Sequence, residues 1–87
     1  MKVSIEVSYY PLTEGYEDII ISFIRRMQEY EDIDVVVNGF STQLYGEYDY
    51  VTSVLMKEMK KDSDSRKGMF VMKLSGGDLS SPVTLNS

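Results

Sequence analysis

The chain has 87 residues, a formal net charge of −5 and a sequence pI near 4.5, with 43% hydrophobic and 26% charged residues. One domain fits that length, and a domain this small buries only roughly 60% of the surface its unfolded chain exposes, so association of copies is one remedy. The acidic balance repels phosphate backbones and anionic membranes, and the absence of Cys and His excludes disulfides, thiolate metal sites and a Ser-His-Asp triad.

Val3, Ile5 and Val7 alternate with Ser4, Glu6 and Ser8, the period-two pattern of a strand with one apolar face. Glu6 stands where a signal peptide needs an apolar core, and no apolar run approaches the roughly 20 residues of a membrane span. A cytoplasmic address without membrane insertion is expected. Pro11 stops the strand, and Thr13 is the expected N-cap of a helix whose first turn carries Glu14, Glu17 and Asp18. From Tyr16 the period changes. Tyr16, Ile19, Ile20, Phe23, Ile24 and Met27 fall on one helical face.

Ile33 to Val37 reads as the second strand, and Asn38-Gly39 as a two-residue type I′ turn into the third. Gly46 ends that strand. Glu47 and Asp49 open a second amphipathic helix with the stripe Val51, Val54, Leu55 and Met59. "KKDSDSRKG" reads as a polar loop, Met69 to Leu74 as a fourth strand, and Gly76-Gly77 as its end. Residues 1–75 are thus one domain and 76–87 a tail, with Val83 to Leu85 a possible short strand.

The order β-α-β-β-α-β predicts an α+β, ferredoxin-like sandwich: an antiparallel four-stranded sheet in the order 4-1-3-2 with two helices on one face. With the two-residue turn, Phe40, Thr42 and Leu44 point at the helices, while Ser41, Gln43 and Tyr45 share the open face with Glu6, Ser8 and Tyr10. The fourth strand is apolar on both faces, so the open face is expected to be covered in a homodimer or homotetramer. A polar patch edged by aromatics suits a small heterocyclic ligand, although such residues also simply solvate a sheet face.

"VSYYPL" at the end of the first strand and "STQLYGEYDYV" leading into the second helix resemble the YkoF-like thiamine-binding family. The matching positions are Ser8, Tyr10 and Pro11, then Ser41, Thr42, Leu44 and Gly46, then Asp49 and Val51, within a likeness spanning residues 2–74. The resemblance implies a ferredoxin-like fold. It also implies binding of thiamine or its hydroxymethylpyrimidine moiety, in uptake or salvage of the vitamin B1 precursor, without catalysis. Carried over by motif, Ser8 and Tyr10 line one side of a pocket and Ser41 and Thr42 another, with Asn38 at the turn beside them. Glu6 is our own addition, as a counter-charge to a thiazolium or an acceptor from the exocyclic amine. A flat strand sends Ser41 and Thr42 to opposite faces, so both reach one ligand only if the hairpin loop is longer or bulged. No catalytic residue, metal ligand or cofactor is expected, and thiamine enters only as bound ligand. Two other readings compete: an oligomeric interaction domain without ligand, and a small dimeric α+β barrel enzyme, the latter weakened by the lack of His.

Overall fold

A computed structural model describes residues 1–81. The elements are β1 (Lys2–Pro11), α1 (Tyr16–Gln28), β2 (Asp34–Val37), β3 (Thr42–Glu47), α2 (Tyr48–Ser65) and β4 (Gly68–Gly76). The strands form one antiparallel sheet in the order β2-β3-β1-β4, the expected ferredoxin-like order read from its other edge. The expected strand at Val83 to Leu85 lies outside the described residues.

The alternation in β1 decides the layering. Val3, Ile5, Val7 and Tyr9 are buried, and they meet Phe23 and Met27 of α1, Leu44 of β3, and Val51, Val54 and Leu55 of α2. The Tyr9 ring stacks on Phe70 with centroids 4.1 Å apart and meets the edge of Phe23 at 5.6 Å. Apolar burial at roughly 25 cal/mol per Å² is what holds the helices to this face.

Three local expectations are corrected. Thr13 does not cap α1. The cap is Gly15 at φ 72°, left-handed and without a side-chain hydrogen bond. Glycine takes that conformation without a Cβ penalty, and Glu17 and Asp18 offset the helix dipole in place of a cap. Second, α2 does not stop before "KKDSDS" but runs through it to Ser65. Its buried stripe continues from Val51, Val54 and Leu55 into Glu58 and Asp62. Those two carboxylates belong on the helix because Arg26 of α1 meets both: its Nε donates to Glu58 Oε1 at 2.8 Å and its Nη2 to Asp62 Oδ1.

Third, the hairpin loop is longer than Asn38-Gly39. The pairs are Val37↔Thr42, Val36↔Gln43, Val35↔Leu44 and Asp34↔Tyr45, which leaves Asn38 to Ser41 as a four-residue loop. Asn38 shapes it: its Oδ1 accepts from the N–H groups of Phe40 (2.9 Å) and Ser41 (3.2 Å), and its own N–H donates to Ser41 O at 3.1 Å. The register slips by two residues from that expected, so Thr42 and Leu44 still face the helices. Phe40 and Ser41 leave the strand. Phe40, expected on the helix face, is 97% exposed at the loop tip.

The chain after β4 turns back over the open face. Ser4, nominally on that face, is buried because its hydroxyl donates to Gly77 O and accepts from Leu79 N–H, both at 2.8 Å. No helix among the described residues is long and apolar enough to cross a membrane.

Candidate functional site

The short β2–β3 hairpin sets up the site. Pairing between β1 and β3 ends at Val7↔Thr42, whereas β1 continues to Pro11 beside β4. Beyond Val7, the β3 side of β1 therefore faces the Asn38 to Ser41 loop rather than a strand. α1 begins just past this end of the sheet. The three segments enclose a cavity of about 520 Å³. Its wall is mostly aromatic and aliphatic, with Tyr10, Tyr16, Phe23 and Phe40 contributing the rings. A volume of that size and a lining of apolar surface with a few polar groups are typical of small-ligand sites.

Five of the six residues singled out from the sequence line this cavity: Ser8, Tyr10, Asn38, Ser41 and Thr42. Ser41 and Thr42 both reach it because Ser41 belongs to the loop and Thr42 begins the strand, so the longer hairpin resolves their apparent conflict of faces. The sixth residue is elsewhere. Glu6 borders a second, smaller groove on the open face with Gln43, Tyr45, Lys73 and Leu79. Its carboxylate lies 4.0 Å from Lys73 Nζ, a partner opposite it on β4. Among the described residues no charged side chain lines the first cavity.

Tyr16, Ile20, Phe23 and Phe40 are cavity walls that the sequence pattern does not single out. The first three lie on the apolar stripe of α1 and read as core. Phe40 was assigned to the core by the two-residue turn. A signal for Phe40 was present in Asn38, whose side chain favours loops in which it bonds residues two and three ahead.

A second polar constellation lies between the helices. Glu58 is 1% exposed, and it accepts from Arg26 Nε at 2.8 Å, Tyr30 Oη at 2.7 Å and Lys61 Nζ at 3.1 Å. Burial alone pushes its carboxyl up, but the hydrogen bonds from Tyr30, Arg26 and Lys61 outweigh it and hold the group at about 2. The same bond to Glu58 raises the Tyr30 phenol. Asp62 Oδ2 has no hydrogen-bond partner among the described residues, but Arg66 Nη1 stands 3.4 Å away. These groups are consumed by one another, and they do not line the cavity. Among the described residues no cluster of acidic side chains is arranged to hold a metal ion.

Neither a protein-family model nor a curated protein sequence matches the chain. Solved structures do. Protein SP2199 of Streptococcus pneumoniae is similar with a TM-score of 0.79 and 27% identity, over 91% of this chain and 90% of that one. TM0486 of Thermotoga maritima, described as a candidate thiamine biosynthesis/salvage protein, is similar with a TM-score of 0.77 and 12% identity, over 88% and 85% of the two chains. A domain of unknown function, DUF77, from Bacillus cereus gives a TM-score of 0.65 at 18% identity, over 98% and 84%. These likenesses extend the resemblance at the level of the fold.

Proposed function

We propose that the chain is a small-molecule binding protein for thiamine or its hydroxymethylpyrimidine moiety, acting in uptake or salvage of the vitamin B1 precursor. The observation that carries this reading is convergence. Ser8 and Tyr10 lie more than thirty residues from Ser41 and Thr42, the two pairs were picked out by motif, and with Asn38 of the turn they line one aromatic-walled cavity. The fold likeness to TM0486 supports it. Hydroxyl and amide groups match the donors and ring-nitrogen acceptors of an aminopyrimidine, and the Tyr and Phe rings supply stacking area. Glu6 takes no part, because it lies in the other groove.

Binding without turnover is part of this reading. We place the protein in the cytoplasm and pair its copies through the open sheet face, where Tyr10, Met69 and Val71 are exposed. Titration calorimetry with thiamine and with hydroxymethylpyrimidine tests the reading. Saturable heat with one or both is expected. No binding at millimolar ligand refutes it.

A further inference from the structure

β1 pairs with β4 without a break from Val3↔Gly76 to Pro11↔Gly68, so its peptide groups alternate strictly between its two edges. Even-numbered residues face β4: the Lys2 carbonyl accepts from Gly77 N–H at 2.9 Å, and Leu12 N–H donates to Lys67 O at 3.0 Å. On the opposite edge the Met1 carbonyl accepts from Tyr48 N–H at 2.8 Å. Odd-numbered residues therefore face β3. The last of them to find a partner there is Val7, opposite Thr42. The next is Tyr9, which has neither a β3 partner nor a hydrogen bond from the Asn38 to Ser41 loop among the described residues.

Tyr9 lines the cavity although its residue is only 7% exposed and its ring is stacked in the core on Phe70. Its N–H and C=O are aimed at the space that a longer β3 would have filled. An unpaired donor and acceptor side by side on a strand edge form a template for an added partner.

We infer that the main-chain N–H and C=O of Tyr9 recognise the ligand, as a strand edge recognises its neighbour. This rests on the proposed function and narrows it by chemistry. The ligand is a planar heteroaromatic ring with an acceptor nitrogen next to an exocyclic amine. The Tyr9 N–H donates to the ring nitrogen, and the Tyr9 carbonyl accepts from the amine. Both bonds lie in the plane of the sheet, so the ring extends the sheet at this point. The rings lining the cavity are then free to cover its faces.

Two measurements on the full chain test the inference with hydroxymethylpyrimidine as probe. An analogue with methyl in place of the 4-amino group keeps size and shape but cannot donate, and should bind about 10- to 100-fold more weakly. In amide exchange read by NMR, saturation with hydroxymethylpyrimidine should slow the Tyr9 amide at least about tenfold. The Val7 amide, already paired to β3, should not respond. If hydroxymethylpyrimidine binds but the methyl analogue binds equally well, or the Tyr9 amide is unmoved, the inference is overturned while the binding function stands. If neither pyrimidine nor thiamine binds, both are overturned.

Discussion

Replacing Arg26 with Met removes the one cation among the described residues that touches both buried carboxylates of α2. Arg26 donates to Glu58 Oε1 at 2.8 Å, to Glu58 O at 3.4 Å and to Asp62 Oδ1, and its guanidinium lies 5.7 Å from the Phe23 ring centre. Met fills much of the volume but leaves Glu58 with Tyr30 and Lys61 alone, and Asp62 with Arg66. Breaking a buried ion pair by removing one partner costs about 3–5 kcal/mol, and because Lys61 and Arg66 still stand beside the two carboxylates the lower end of that range is expected. Small domains are stable by only about 5–15 kcal/mol, so the loss is a large share of the total. The pH dependence gives an independent check. In the wild type the Glu58 carboxyl is lowered from 4.5 to about 2. A lowered folded-state value contributes stability that is complete above about 4.5 and is lost as the pH falls toward about 2, amounting to about 3 kcal/mol. In Arg26→Met the carboxyl rises, so protonation relieves the variant, and its deficit should shrink between about pH 5 and pH 3. Urea unfolding followed by circular dichroism across that range measures both. Equal midpoints at neutral pH, or a deficit that does not change with pH, would refute the reasoning.

Four further outcomes follow from the structure. Gly46→Ala puts a Cβ 2.7 Å from Val51 Cγ2 and 2.9 Å from the Asp32 carbonyl, so it should destabilise by about 1–3 kcal/mol in the same urea assay. The chain has no Trp, so Phe40→Trp makes a single indole at the loop tip, selectively excited apart from the tyrosines, whose emission should shift to the blue when hydroxymethylpyrimidine binds. Unchanged emission at calorimetric saturation counts against Phe40 as a wall of the bound state. No Lys or Arg occurs between Lys2 and Arg25 or between Arg26 and Lys57, and Glu17 and Asp18 occupy the helix end beside the cavity. The phosphate ester of hydroxymethylpyrimidine should therefore bind at least about tenfold more weakly than the alcohol, and the gap should narrow with salt. Ser4→Ala removes both bonds that hold Gly77 and Leu79 to the sheet, at about 1 kcal/mol, and should accelerate exchange of the Leu79 amide.

The fold was legible because its signals are local and periodic. The alternation from Val3 to Tyr9 and the helical stripe from Tyr16 to Met27 each name a face, and facing apolar surfaces leave few ways to stack two helices on four strands. Even the misjudged turn left Thr42 and Leu44 on the correct side, since the slip was two residues and the strand period is two. Motifs likewise brought forward Ser8, Tyr10, Ser41 and Thr42, and the turn between the strands Asn38; all five line one cavity.

Other features depended on contacts across the molecule. The length of the hairpin loop rests on the Asn38 side chain bonding Phe40 and Ser41, which competes with the type I′ turn favoured by Asn-Gly. The helical state of "KKDSDS" depends on Arg26, more than thirty residues earlier, which makes Glu58 and Asp62 favourable as inward-facing residues. Glu6 was grouped with Ser8 because the two share a strand face, yet the cavity opens where β3 has ended, and Glu6 lies one residue before Val7, where β3 still covers that edge. Sequence periodicity determined which side chains face inward. Where one strand outlasts its neighbour was decided only by the tertiary structure, because that depends on loop hydrogen bonds and helix placement rather than on any repeat in the chain.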